Sequence, residues 1–234
     1  MPIASLPIVF FGAGLHLFLL SAPLLFVDIE LSEYFGRPVT WVYYSLLSLF
    51  CLLEAAASLC LPNENPVKTK HAFLPYLMGL SVLLFFWISI HDYASYFHGC
   101  LVSTVTGALL IISGSIVRLV AILKLGRHFI SHVAITNNHQ LVTTGIYSFV
   151  RHPSELGLLL ICFGIAILLT STKGIWLVCV MLLPLTIYRI SQEDKLLHAF
   201  FTKEFSDYRI STPRLVPKLM RRNPCYGQHN NSDY

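Results

Sequence analysis

The stretch "LVSTVTGALLIISGSIVRLVAILKL", Leu101 to Leu125, is apolar for most of its length and carries one charge, Arg118, before its last turn. A helix rises about 1.5 Å per residue, so this run exceeds the roughly 20 residues needed to cross ~30 Å of hydrocarbon. Working outward, residues 8–27, 41–61 and 73–90 qualify in the same way. Residues 156–169 and 174–190 are shorter or interrupted, the second by Pro184, and little more than "TSTK" separates them, which predicts a tight helical hairpin. The fold class that follows is an all-α integral membrane protein with about six transmembrane helices, the last two forming that hairpin. Composition agrees: 55% hydrophobic residues, 12% charged and a mean hydropathy of +0.67 lie far from a soluble domain. No linker, repeat or low-complexity block divides the chain, so residues 1–234 read as one multi-spanning domain.

With six spans both termini share a side, and the distribution of Lys and Arg selects it. One set of connections holds Arg37 and Lys173; the other holds Lys68, Lys70, Lys124, Arg127, Arg151 and the basic residues from Arg189 to Arg222. Both termini are therefore expected in the cytosol. No charge precedes Asp28, so the first apolar run lacks the basic start of a cleaved signal peptide and reads as a retained helix. The net charge of +4 suits anionic lipid headgroups and calls for no nucleic-acid partner. The six cysteines show no CxxC or Cys/His spacing, so neither a disulfide framework nor a zinc site is expected.

Ionisable groups within spans are costly and mark candidates for function. Here they are His16, Glu54, His91 and Arg118. A guanidinium cannot shed its charge, so Arg118 must meet an anion, carbonyls or water, and Glu54 is a candidate partner. Beyond Arg118 runs "KLGRHFISHVAITNNHQLVTTGIYSFVRHPSELG", Lys124 to Gly157, with His128, His132, His139 and His152 at spacings that match no metal-ligand set. Pro153 suits the first turn of the next helix, whose free N–H groups together with Arg151 and His152 form an anion-binding arrangement or, on the plainer reading, an interfacial anchor. Downstream, Arg189 and Glu193 begin a row at helical spacing that Leu197, Phe201 and Phe205 continue. That row suits either a charged site with an apolar floor or an amphipathic helix at the interface bearing a surface ion pair.

Taken together, "GSIVR", "HQLVTTGIYSFVRHPSELG", "RISQEDKLLHAFF" and "EFSDYRISTPRLVP" resemble the isoprenylcysteine carboxyl methyltransferases of the endoplasmic reticulum, over residues 114–217. The RHP segment alone is shared more widely among membrane methyltransferases and reductases; its combination with ED-x-x-L, F-x-x-Y and the closing P-x-x-x-P is more specific. The resemblance implies methyl transfer from S-adenosylmethionine to the C-terminal carboxylate of a prenylated cysteine, in CaaX proteins of the small-GTPase type after their proteolysis. It implies an endoplasmic reticulum membrane protein, with membrane lipid around it and room for a homo-oligomer. No GxGxxG is present, so a donor pocket would be built from the cytosolic loop and C-terminal tail. By similarity, the donor is held by His139, Gln140, Leu141, Val142, Tyr147, His152, Pro153, Ser154 and Glu193. Arg189 is the expected substrate-binding and catalytic residue that receives the carboxylate, and Arg118 a second catalytic residue near the reaction centre. Two positions depart from the pattern: Glu155 stands where the family is usually aromatic, and "AITNN" offers no counterpart to a family glutamine. Glu155 in that place can answer the donor's positive charge.

The residue types suit this chemistry without the name. A C-terminal carboxylate has a pKa near ~3.5 and is ionised at neutral pH, so attack on a sulfonium methyl needs no general base. Orientation and exclusion of water are what remain, and an arginine can aim a carboxylate while leaving a lone pair free. A phospholipid N-methyltransferase, an NADPH-dependent sterol-type reductase and an inactive lipid-binding relative are the alternative readings.

Overall fold

The computed structural model describes residues 22–27, 29–60, 68–69, 73–96, 99–126, 134–135 and 141–217. Its architecture is a bundle of long helices that pass back and forth. After a 3-10 turn at Ala22–Phe26 come α1 (Leu31–Gly36), α2 (Pro38–Cys60), α3 (Leu74–Ser95), α4 (Leu101–Leu125) and α5 (Pro153–Leu168). The last pass is composite: α6 (Thr172–Leu177), a π turn at Val178–Leu182 and α7 (Leu183–Ser211). Four helices are long and apolar enough to cross a membrane, Pro38–Ala57, Leu74–Ser95, Leu101–Leu125 and Thr172–Ser211, and Pro153–Leu168 is a shorter apolar helix.

The expected span at 101–125 matches α4 at both ends. The one at 41–61 begins earlier, because Pro38 fits a first helical turn whose N–H would be unpaired anyway. The one at 73–90 runs on to Ser95, taking in His91 and Asp92. Residues 8–21 of the first expected span, and His16 with them, lie outside the described residues. Its described end is the 3-10 turn at Ala22–Phe26.

The predicted hairpin is present and its cause is local. Ser171 caps α6, its hydroxyl accepting from the Gly174 N–H at 2.9 Å. Asp92 of α3 accepts from the Ser171 hydroxyl at 2.9 Å and from the Lys173 amide at 3.2 Å, and its other oxygen lies 3.1 Å from Lys173 Nζ. Lys173 thus ties the hairpin tip to α3. Pro184 does not interrupt the returning helix as the sequence suggests. The π turn just before it widens the coil where proline has no N–H to give and its ring crowds the preceding turn.

Arg37, which reaches the Tyr93 carbonyl at 3.0 Å, shares the hairpin's end of the bundle with Lys173. The C-terminal end of α4, the start of α5 and the second half of α7 gather at the other. There a two-residue antiparallel ladder, β1 (Lys68–Thr69) with β2 (Ala134–Ile135), joins the α2–α3 connection to the α4–α5 connection. Large apolar side chains such as Leu109, Ile112 and Ile116 point outward from α4, and Gly107, Ile111 and Gly114 point inward, the pattern of a helix that faces lipid.

Candidate active site

The closest packing in the bundle fixes the site. Gly107 and Gly114 of α4 face Gly164 and Gly157 of α5, each pair spaced by two turns so that it lies on one helix face. A Cβ on Gly114 would stand 2.7 Å from the Gly157 carbonyl oxygen, and one on Gly157 would stand 2.6 Å from the Gly114 oxygen. Only glycine lets the two backbones touch in this way. One turn beyond Gly114 is Arg118, and just before Gly157 is Ser154; the seam sets them against each other. The Arg118 guanidinium donates from Nη1 to the Ser154 hydroxyl at 3.0 Å and carbonyl at 3.3 Å. It also donates from Nε to Glu54 Oε1 at 3.0 Å and makes a short Nη2 contact to the same oxygen. The expected Glu54–Arg118 pair therefore exists, bridging α2, α4 and α5.

The next residue, Glu155, points to the last pass. Its Oε1 lies 3.2 Å from Arg189 Nη1, with 7% of the Glu155 and 15% of the Arg189 side chain exposed. Its Oε2 is buried and has no hydrogen-bond partner among the described residues. Consecutive residues of one helix start thus hold Arg118 and Arg189 together.

About 20 residues suffice to cross hydrocarbon, so the 40-residue helix Thr172–Ser211 leaves its second half beyond the membrane. There Asp194 is the buried hub. Its two oxygens each accept from Arg151 Nη1 at 2.9 Å; Oδ1 meets His152 Nε2 and Oδ2 accepts from Arg214 Nε, also at 2.9 Å. Burial alone would raise the Asp194 carboxyl, but the bond and charge of His152, the charge of Arg151 and the hydrogen bond of Arg214 hold it below the usual carboxylate range. The tail closes over this hub. Arg151 Nε donates to the Thr212 carbonyl at 3.0 Å, and the Arg151 and His152 amides donate to the Pro213 and Arg214 carbonyls at 2.9 and 3.1 Å. Arg151 and His152 are therefore not an open anion cradle at the helix start. Both are buried and directed at Asp194.

The row from Arg189 to Phe205 is also altered. Thr202 adopts φ 32°, ψ −93° and breaks the helix, so the chain turns back. Phe205 then packs under the Arg151 guanidinium at 5.7 Å, and the Tyr208 hydroxyl donates to the Tyr147 carbonyl at 2.6 Å. Glu193 and Leu197 remain part-exposed instead of continuing one interfacial stripe.

Of the residues expected to hold a donor, His139 and Gln140 lie outside the described residues. Leu141 and Val142 are half-buried in an irregular segment. Tyr147 is buried with its hydroxyl on the Ala121 carbonyl at 3.3 Å, and burial pushes that phenol above its ordinary pKa. Pro153 opens α5 and is buried. His152 presents Nδ1 towards Glu193, 3.7 Å away. Sequence reasoning missed Asp194, Arg214, Thr212 and Tyr208. The signals available were the second acid of "QED" and the arginine of "STPRLVP".

Comparison with known proteins adds four findings. Residues 107–199 match the family described as isoprenylcysteine carboxyl methyltransferase (ICMT). The chain is 31% identical over 170 residues to a protein-S-isoprenylcysteine O-methyltransferase of Saccharomyces cerevisiae, covering 71% of this chain and 70% of that one. It is 31% identical over 156 residues to protein-S-isoprenylcysteine O-methyltransferase A of Arabidopsis thaliana, covering 64% and 75%. The solved structure of a eukaryotic intramembrane Ras methyltransferase, ICMT, superposes with a TM-score of 0.58 at 21% identity, over 93% of this chain and 86% of that one, and so shares the fold.

Proposed function

This chain belongs to the isoprenylcysteine carboxyl methyltransferase family, and from that membership we infer that it is an enzyme that esterifies the C-terminal carboxylate of a prenylated cysteine. The finer reading takes S-adenosylmethionine as donor and proteolysed CaaX proteins as substrates. It puts a single domain of six crossings in the endoplasmic reticulum membrane with both termini in the cytosol, the α4–α5 loop and C-terminal tail forming the donor pocket. The observation that carries it is the meeting of two part-buried guanidiniums, Arg118 and Arg189, on consecutive residues where a lipid-facing bundle reaches its basic end.

When bound, the donor supplies an electrophilic methyl on a sulfonium. The residues present fit such a ligand: Glu155 offers a buried acceptor oxygen without a partner among the described residues, and Glu193 is a part-exposed carboxylate beside His152. The substrate carboxylate is ionised at neutral pH, so Arg189 needs only to aim it, and the helices exclude water that would compete as a nucleophile. Arg118, fixed by Glu54 and Ser154, adds a second positive centre beside the reacting oxygen. The prenyl chain gains about 0.8 kcal/mol for each CH₂ it keeps in lipid, which explains why a membrane enzyme suits this substrate.

The test is to incubate membranes containing the protein with methyl-labelled S-adenosylmethionine and a farnesylated cysteine analogue. Base-labile methyl ester should form, and the unprenylated analogue should be turned over at least about a hundredfold more slowly, the loss of a few kcal/mol of lipid burial. Equal turnover of the two, or label that resists base, would overturn the assignment.

A further inference from the structure

Arg189 already holds a carboxylate, that of Glu155. Chemically this is the same group that a prenylcysteine would bring, and it sits on the cation assigned to receive the substrate. Arg118 has its own counter-charge in Glu54. Each arginine thus has a carboxylate in direct contact, and a second carboxylate arriving at Arg189 would face Glu155 across one guanidinium in a site largely shut off from water. Like charges at such distances repel strongly where solvent does not screen them. The other oxygen of Glu155 is meanwhile buried and without a partner among the described residues, aimed at nothing that the described chain supplies.

We propose that Glu155 is a placeholder for the substrate carboxylate: it neutralises Arg189 in the empty enzyme and yields it only when a cationic methyl donor is bound to answer Glu155. The proposal rests on the assignment of Arg189 to the substrate carboxylate. It makes Glu155 a positioning residue that couples the two binding events. With substrate alone, two negative groups share one guanidinium; with donor and substrate together, the charges cancel. Reaction then resets the site. A carboxylate oxygen forms the new O–CH₃ bond, the S–CH₃ bond breaks with its electron pair left on sulfur, and no proton moves. One negative and one positive charge disappear together, leaving a neutral ester and a neutral thioether. The ester no longer competes for Arg189 and the thioether no longer offers Glu155 a sulfonium, so their pairing re-forms and favours release of the ester.

The experiment measures equilibrium binding of N-acetyl-S-farnesylcysteine and of its carboxamide to the full-length protein in lipid nanodiscs. No donor is present in the first series. Glu155→Gln keeps the shape of the side chain and removes its charge, so it should bind the carboxylate at least about tenfold more tightly than wild type. Its affinity for the neutral carboxamide should be unchanged, which a merely structural effect would not produce. Carboxylate affinity that is equal to or weaker than wild type overturns the proposal. Arg189→Gln separates this from failure of the underlying assignment. If Arg189 does not receive the carboxylate, Arg189→Gln leaves the carboxylate-to-carboxamide ratio at its wild-type value. If that ratio collapses in Arg189→Gln while Glu155→Gln binds the carboxylate no more tightly than wild type, Glu155 alone is misread. Should Glu155→Gln fail to fold, the wild type still decides. Its carboxylate affinity should rise about tenfold when the thioether product is replaced by a non-transferable donor analogue bearing an ammonium in place of the sulfonium, and no rise overturns the proposal.

Discussion

Asp194 replaced by asparagine keeps the shape of the hub but leaves Arg151, His152 and Arg214 facing one another without their shared anion. Breaking a buried ion pair by removing one partner costs about 3 kcal/mol, so Asp194→Asn should lower the melting temperature of the detergent-solubilised protein and free its tail for proteolysis near Thr212. The pH dependence has a definite sign. The folded Asp194 carboxyl titrates below its unfolded value of about 3.9, so its stabilisation is complete above roughly pH 4 and is lost as the pH falls through the folded value. The difference in melting temperature between wild type and Asp194→Asn should accordingly be larger at about pH 5 than in stronger acid, shrinking as the pH falls through the folded value. Two neighbouring substitutions separate the ligands. Arg189→Ala should remove turnover of the carboxylate substrate by at least about a hundredfold while equilibrium donor binding persists, and Glu193→Ala should weaken donor binding. Wild-type turnover in Arg189→Ala would refute the carboxylate assignment. The two acids of the "QED" segment show the limit of reading the sequence here. Which of them turns inward depends on the helix's rotation, about 100° per residue, and that rotation is reset by a π turn no periodicity announces.

At the scale of elements, the glycine seam makes the sharpest demand. A methyl added at Gly157 would meet the Gly114 carbonyl at 2.6 Å and the Arg118 backbone nitrogen at 2.8 Å, neither of which is a flexible side-chain end. Gly157→Ala should therefore push α4 and α5 apart, destabilise the protein by about 1–3 kcal/mol and move Arg118 off Ser154. Thermal melting and turnover should fall together, whereas Gly79→Ala, where an added Cβ meets nothing within 4 Å, should change neither. α4 itself was legible to the residue because lipid sets both its length and its apolarity, and the Arg118–Glu54 pair because a guanidinium in hydrocarbon must find an anion. The bend at Thr202 was not legible. A helical row of Leu197, Phe201 and Phe205 looks continuous until the contacts of Phe205 with Arg151 and of Tyr208 with Tyr147 draw the segment after the kink out of line.

For the molecule as a whole, the distribution of charge between its two ends makes an orientation testable. In a cysteine-free background, a cysteine replacing Arg209 should react with an impermeant maleimide on sealed microsomes, and one replacing Lys173 only after permeabilisation; the reverse result would invert the topology. Removing Lys173 by alanine should leave turnover within about twofold, since its exposed bridge to Asp92 contributes little and lies at the end away from the site. The contact between α4 and α5 also governs traffic. Where backbone atoms of two helices touch over two turns and more, no slot remains for a hydrocarbon chain, which needs about 4 Å from its carbons to any wall. A lipid tail leaving the bilayer for the arginines must part some other pair of helices, so a covalent strap across α4 and α5 would leave that door free, and a strap that stops the enzyme would show where the door is.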